Sequence, residues 1–183
     1  DYAHDLVDAL GKPLRLMHRD VTPSNIVVTW HGGTKLLDFG IARAATQVHR
    51  TQEGIVRGKF GYMAPEQCRA QAAIDRRADL YSAGATLYAL ATGKAAFGLA
   101  KTPNAMPEMF QSMLEARFPS PRSVNPEVPG GLEEIILRAM AREPDARYAT
   151  AGAMGEALDR FASANGLFAT ARELGDYVRG LFP

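Results

Sequence analysis

The chain of 183 residues has 46% hydrophobic content and a formal net charge of +1 at pH 7. This length predicts one domain with a substantial core and is too short for two ordinary domains. The nearly neutral charge gives no large field of one sign, which argues against nucleic acid or an anionic membrane as the main partner. No apolar run approaches the roughly 20 residues of a membrane-spanning helix, so we expect no membrane contact from this segment.

Cys68 is the only cysteine of the sequence. A single cysteine excludes an internal disulfide and is typical of the reducing cytoplasm, which is the predicted location. We interpret the side chain as a small buried hydrophobe rather than a reactive thiol.

The first forty residues are predicted to form short strands around a glycine turn. Residues 1–10 are predicted to be the last turns of a helix, and the strands to cover 16–17, 26–30 and 34–37. The turn at 31–33 would make the last two strands a hairpin. Its two ends would bring Asn25 and Asp38 to one site.

Beyond Asp38 the pattern changes from strand to helix. A polar stretch without a strong period runs to Glu66, and its length predicts a functional segment rather than a simple connector. Helices are then predicted at 79–92, ended by Gly93, and at 103–117, 132–142, 151–162 and 169–181, with a proline-rich connector at 118–131. The expected fold is therefore mainly α with a small β-hairpin at one face.

Three short motifs follow one another in the part of the chain that precedes these helices. They are His18-Arg19-Asp20 with Asn25 five residues after Asp20, Asp38-Phe39-Gly40, and Ala64-Pro65-Glu66. One triplet alone would be weak evidence, but three in this order are a strong signal. Together they resemble the catalytic half of a protein kinase, and the resemblance runs from about Tyr2 to Phe161.

The resemblance implies the transfer of the ATP γ-phosphate to a protein hydroxyl. Phosphoryl transfer needs a carboxylate beside the attacking hydroxyl and oxygen ligands for Mg²⁺. Asp20 matches the family's catalytic aspartate, and Asn25 and Asp38 match the two positions that bind the metal and its nucleotide. Val27, on the strand after Asn25, matches a position that contacts the nucleotide. Outside this context, turn roles would be the preferred interpretation of Asn25 and Asp38. A helix-cap or turn role is the common alternative for Asp20, but the spacing to Asn25 with Pro23 between them argues against it.

Other matched positions are expected to be structural. In the family, the residues that correspond to His18 and Phe39 stack into an apolar column that is assembled in the active conformation. Glu66 and Arg147 match a buried ion pair that ties the activation segment to the helical base. Asp79 matches a buried aspartate that holds the backbone of the catalytic loop.

The activation segment and its neighbours carry the expected regulatory residues and two departures from the family pattern. Arg19 is expected to dock a phosphate on Thr51, while Thr46 is interpreted as a solvated loop residue. Thr22 stands where most serine/threonine kinases have lysine, and Lys59 where most have threonine. We expect the Lys59 ammonium to supply the missing cation beside Asp20.

Pro23 favours serine or threonine as the acceptor, and the stretches HRDVTPSN, DFGIAR and GKFGYMAPEQ look most like the eukaryotic-like kinases of bacteria. The sequence has no glycine-rich loop and no VAIK-type lysine. We therefore expect residues 1–162 to be a kinase C-terminal lobe without its N-terminal lobe, inactive alone, and residues 163–183 to be an additional helix. A non-catalytic docking or scaffold lobe is an alternative; a small-molecule phosphotransferase is weaker, because those enzymes lack the DFG and APE motifs.

Overall fold

The computed structural model describes residues 1–39, 60–69, 74–98 and 106–182. Two strands, β1 (Ile26–Val28) and β2 (Thr34–Leu36), pair in antiparallel fashion. The helices are α1 (Pro65–Cys68), α2 (Arg77–Thr92), α3 (Met106–Leu114), α4 (Pro121–Val124), α5 (Gly130–Ala139), α6 (Ala151–Ala164) and α7 (Ala171–Leu181). Short 3-10 turns cover Pro23–Asn25 and Pro144–Ala146. The prediction of a mainly α lobe with one small hairpin is confirmed.

The central helix of the fold is α2. Most of its side chains are buried, and Gly93 ends it in the left-handed conformation, as the sequence predicts. One core cluster joins Tyr81 and Tyr88 of α2 to Ile136 and Met140 at α5. A second cluster joins α2 to α5 and α6. Burial of these apolar side chains against α2 is the main stabilising term of the lobe.

Two predictions about the first twenty residues are wrong. Residues 1–10 form turns rather than helix, and an isolated bridge pairs Val7 with Pro13. The carboxylate of Asp8 accepts hydrogen bonds from the backbone N–H groups of Leu10 and Lys12, each at 2.9 Å, which competes with helical bonding. Residues 16–17 are not a strand, because no strand of the described residues pairs with them.

The connector at 118–131 contains one short helix that the sequence pattern did not predict. Pro121 occupies the first turn of the short helix α4, where a missing N–H costs nothing.

None of the helices in the described ranges is long and apolar enough to cross a bilayer.

Candidate active site

The backbone of the loop at 18–25 is held by a buried carboxylate from α2. Asp79 is 5% exposed, and its Oδ2 and Oδ1 accept hydrogen bonds from the backbone N–H groups of His18 at 2.8 Å and Arg19 at 2.7 Å. Arg19 has a φ of 63°, which is strained for a side chain of this size. The two hydrogen bonds stabilise this strained turn and so fix the direction in which Asp20 leaves it.

His18 connects the loop at 18–25 to the Asp38-Phe39-Gly40 motif. Its Nε2 donates to the backbone carbonyl of Leu37 at 2.9 Å, and its Nδ1 accepts from the N–H of Asp20 at 3.3 Å when the ring is the neutral tautomer. The ring also packs against Phe39, with the centroids 4.8 Å apart. Both nitrogens are thus engaged in fixing loop geometry, which leaves no nitrogen to transfer a proton to substrate.

Asn25 orients the carboxylate of Asp20. The Nδ2 group of Asn25 donates to Oδ2 of Asp20 at 2.9 Å and to its backbone oxygen at 2.7 Å. Asn25 is the last residue of the short turn that Pro23 begins, and its side chain is buried. With its amide nitrogen committed to Asp20, the amide oxygen is the atom of Asn25 that can ligate a metal.

The β1–β2 hairpin brings Asn25 and Asp38 to neighbouring positions. Leu37, directly before Asp38, donates its N–H to the backbone oxygen of Asn25 at 2.8 Å, which closes the open end of the hairpin. Asp38 has a φ of 58°, a conformation that aspartate tolerates better than bulky residues. Val27, in the middle of β1, is 41% exposed and pairs with Lys35.

The donor atoms at this site fit Mg²⁺. The described residues contain no group of three or more histidine, cysteine, aspartate or glutamate side chains that could enclose a metal. Asn25 and Asp38 offer hard oxygen donors, and Mg²⁺ takes its remaining ligands readily from water and phosphate. Asn25 and Asp38 would therefore offer two protein ligands to Mg²⁺ and leave its other coordination positions to water or phosphate.

A buried ion pair joins the Ala64-Pro65-Glu66 motif to the helical base. Arg147 donates to the two carboxylate oxygens of Glu66 at 2.7 and 2.8 Å. Its other N–H groups donate to the backbone oxygens of Ala141 at 2.8 Å, Arg142 at 3.0 Å and Arg77 at 3.1 Å. All five guanidinium N–H groups are therefore bonded, which offsets the cost of burying the charge.

The same guanidinium stacks on an aromatic ring of the core. Its carbon lies 4.9 Å from the ring centre of Tyr81, whose pKa is raised by burial. Burial also raises the pKa of the Cys68 thiol to about 11, with a smaller contribution from the charge of Glu66. Cys68 is only partly buried, rather than fully buried as predicted, but the raised pKa keeps its thiol protonated at neutral pH, in agreement with the prediction of an unreactive thiol.

Some of the expected residues lie outside the described residues, and one structural partner was missed. Lys59, Thr51 and Thr46 fall in the segments that the structure does not describe. His4 was not singled out from the sequence, yet its Nε2 lies 2.8 Å from Oδ2 of Asp79. No local pattern marks it, because its partner is 75 residues away along the chain.

Known proteins resemble this chain over most of its length. Residues 11–158 match the family described as protein kinase domain. The tyrosine-protein kinase MasK of Myxococcus xanthus is 39% identical over 181 residues, which are 99% of this chain and 27% of the relative. The serine/threonine-protein kinases PknL of Mycobacterium tuberculosis and PrkC of Bacillus subtilis are 39% and 38% identical over 80% and 75% of this chain. The chain spans only 36% and 20% of those two relatives.

Proposed function

We propose that this chain, which belongs to the protein kinase family, is the catalytic lobe of an ATP-dependent kinase that phosphorylates serine or threonine in other proteins. The observation that carries the proposal is the arrangement of Asp20, Asn25 and Asp38. Asp20 is oriented by Asn25, and the hairpin sets Asn25 beside Asp38.

A cytoplasmic location fits the need for ATP and the single cysteine.

Asp20 acts on the hydroxyl that is phosphorylated. Its carboxylate accepts a hydrogen bond from the acceptor hydroxyl and takes the proton as the new O–P bond to the γ-phosphorus forms. The bond between the γ-phosphorus and the bridging oxygen breaks, and ADP leaves with that electron pair. Asn25 holds the Asp20 carboxylate in place, since rotation of the side chain would break the bond between Nδ2 and Oδ2.

Asn25 and Asp38 bind the metal and nucleotide. Mg²⁺ neutralises charge on the phosphate oxygens when bound. The amide oxygen of Asn25 and the carboxylate of Asp38 supply its protein ligands, and the exposed side chain of Val27 contacts the nucleotide. The backbone hydrogen bond from Leu37 to Asn25 maintains the spacing of the two ligands.

The direct test is a pair of substitutions in the full-length protein that contains this chain. Asp20→Asn should lower kcat by at least about 100-fold, the lower end of general-base effects, while leaving ATP affinity near that of wild type. Asp38→Asn should instead abolish Mg²⁺-dependent nucleotide binding. Asp159→Asn, at an exposed position of α6, is the matched control and should change neither. Full turnover in Asp20→Asn would refute the role of Asp20, whereas a wild-type protein without any phosphoryl transfer would favour a scaffold role.

Serine or threonine specificity is the finer part of the proposal. Pro23 supports it, and two of the relatives named above carry serine/threonine-kinase names, whereas MasK carries a tyrosine-kinase name. Phosphoamino-acid analysis of a labelled mixed protein substrate decides between serine/threonine and tyrosine specificity. Phosphoserine and phosphothreonine are expected, and phosphotyrosine as the main product would overturn this part.

Lys59 is proposed to replace the cation that most serine/threonine kinases carry two residues after the catalytic aspartate. Thr22 occupies that position; it is buried, and its hydroxyl lies 2.9 Å from that of Ser24. A positive charge beside Asp20 would stabilise the phosphoryl oxygens in the transition state. Lys59→Thr should sharply reduce turnover, and adding Thr22→Lys should restore much of it. No recovery in a double variant with wild-type unfolding behaviour would contradict this role.

Arg19 is proposed to bind a phosphate on Thr51. Its guanidinium can bond two phosphate oxygens at once, which would order the activation segment. Thr51→Ala should lower activity as Arg19→Ala does, whereas Thr46→Ala should not. Phosphosite mapping of the active protein measures the phosphate occupancy of Thr51 directly. An unmodified Thr51 in fully active enzyme would exclude the proposed role of this residue.

A further inference from the structure

The C-terminal helix α7 packs against the turn of the hairpin that carries the metal ligands. Its N-terminus is stabilised by a reciprocal cap, in which Thr170 accepts from the N–H of Glu173 and the Glu173 carboxylate accepts from the N–H of Thr170. This cap lowers the pKa of Glu173. The helix lies beyond residue 158, where the match to the kinase family ends, whereas the resemblance to MasK covers 181 residues.

Two glycines allow the backbones of α7 and the turn to approach closely. A Cβ at Gly175 would lie 2.7 Å from the backbone oxygen of Trp30 and 3.0 Å from the nitrogen of Gly32. A Cβ at Gly32 would overlap the backbone oxygen of Ala171. Gly175 is the one residue of α7 with a buried position in the structure. Side chains larger than hydrogen at these two positions would therefore separate the helix from the turn.

Side chains extend this contact along the helix. Arg179, one turn after Gly175, donates a hydrogen bond from Nη1 to the backbone oxygen of Trp30. Its Nη2 donates to the carboxylate of Asp176, which fixes the direction of the guanidinium. Phe182 meets the Trp30 ring edge to face, with the centroids 6.1 Å apart. The contact is thus specific, with backbone, charged and aromatic components.

The position of the turn determines the position of both metal ligands. The turn lies at one end of the hairpin, and Asn25 and Asp38 flank the other end, with three residue pairs between them. A strand of three residues has few ladder bonds of its own, and an isolated two-stranded hairpin is marginally stable. A helix that fixes the turn therefore limits how far the Asn25 and Asp38 ends can twist or separate.

We propose that α7 is a clamp that holds the β1–β2 hairpin in the geometry required for metal binding, with Gly175 and Arg179 as positioning residues. The proposal rests on the kinase function given above, because only then do Asn25 and Asp38 share a metal. The clamp belongs to the region outside the common kinase match, so it adds a structural requirement for Mg²⁺ use that the catalytic motifs alone do not supply.

The test compares two glycine-to-alanine changes in the same helix of the full-length protein. Both substitutions raise intrinsic helix propensity by a similar amount. Gly175→Ala places a methyl group against the backbone of the turn, whereas the space around Gly180 is empty to 4 Å. Gly175→Ala should raise the Mg²⁺ concentration for half-maximal activity by roughly 3- to 30-fold, the range expected for coupling through packed contacts. Its kcat at saturating Mg²⁺ should stay near wild type, and Gly180→Ala should change neither quantity.

A second pair of variants tests the hydrogen bond of the clamp. Arg179→Ala should raise the Mg²⁺ requirement, and Arg179→Lys, which keeps a donor, should restore most of the wild-type value. Arg160→Ala, at an exposed position of α6 away from the clamp, is the control. General destabilisation would lower the amount of active protein without moving the Mg²⁺ requirement, so an unchanged requirement in Gly175→Ala and Arg179→Ala overturns the proposal.

Hydrogen exchange separates a failure of the clamp from a failure of the kinase assignment. In Gly175→Ala the hairpin amides, including that of Leu37, should exchange faster than in wild type and in Gly180→Ala. Unchanged protection overturns the clamp even if the protein is an active kinase. If the wild-type protein shows no phosphoryl transfer, or if its transfer does not depend on Asp20, the kinase function is refuted. The hydrogen-exchange rates then decide on their own whether α7 holds the hairpin.

Discussion

The two sides of the loop at 18–25, which carries Asp20, are stabilised in different ways. On one side lie the buried anchors, Glu66, Asp79 and Arg147, each at most 5% exposed and bonded at most of its polar atoms. On the other side lies the hairpin, residues 26–37, whose apolar side chains at Val27 and Leu36 are each 41% exposed. The lobe therefore fixes the backbone under Asp20 with its own core, whereas the hairpin is held by more exposed contacts, including those with α7.

The largest effect expected from this difference is on the activity of residues 1–183 alone. The sequence contains no glycine-rich loop or VAIK-type lysine to meet the exposed hairpin. Its kcat/KM for protein phosphorylation should be more than about 100-fold below that of the full-length protein, because a misplacement of 1 Å can already cost that much. If residues 1–183 alone were as active as the full-length protein in a radiolabelled transfer assay, the hairpin would need no further part of the protein for activity.

The buried anchors should be the most sensitive points for stability. Glu66→Ala or Arg147→Ala should each lower the free energy of unfolding by about 3–5 kcal/mol, since each strands a buried charge. Urea denaturation measures the change. The double variant should cost less than the sum of the single ones, and strictly additive losses would show that the pair does not interact.

A surface ion pair provides the matched control for these variants. Arg77 bonds Asp145 at the surface, where the Asp145 side chain is 94% exposed. Asp145→Ala should leave the free energy of unfolding nearly unchanged, because exposed pairs contribute little. A loss similar to that of Glu66→Ala would remove the distinction between buried anchors and surface charge.

Asp79 should give an intermediate effect. Asp79→Asn keeps the size of the side chain but leaves one oxygen to serve two backbone donors and His4. The expected loss is about 1–3 kcal/mol for a buried group left without its partner. Asp8→Asn is the control, because Asp8 also accepts two backbone N–H groups but at the surface. Equal losses from the two substitutions in urea denaturation would contradict the role of burial.

The smallest expected effect concerns Cys68. Because burial raises the pKa of this thiol to about 11, the reactive thiolate is scarce at pH 7 and increases as the pH rises toward that value. Alkylation by iodoacetamide should be much slower than that of a free thiol at pH 7 and should accelerate with pH. Rapid modification of the folded protein at pH 7, followed by mass spectrometry, would show that the region around α1 opens.

Sequence patterns predicted the local elements of the lobe better than its long-range contacts. The helical spacing after Asp79 and the stop at Gly93 predict α2 well, and the glycine turn predicts the hairpin, because these signals are local. The helix at residues 1–10 was wrong because the Asp8 carboxylate competes for backbone N–H groups.

For the candidate site, motif order indicated which side chains to examine but not every partner that holds them. The contact of His4 with Asp79 spans 75 residues, and that of Arg179 with Trp30 spans 149 residues. Neither has a signature in the spacing of nearby residues, since both depend on how α2 and α7 pack in three dimensions. Lys59 and Thr51 lie outside the described residues, so their roles stay predictions.

The wide separation of Glu66 and Arg147 has a consequence for synthesis of the chain on the ribosome. The two residues lie 81 positions apart. At elongation rates of about 5–20 residues per second, Glu66 is made roughly 4–16 s before Arg147. During that interval the carboxylate of Glu66 has no partner with which to enter the core, so the Glu66–Arg147 pair forms only after most of the helices have been synthesised. Substitutions at Arg147 should consequently lower the yield of folded protein in cells by more than the free energy of unfolding of the purified variant would predict.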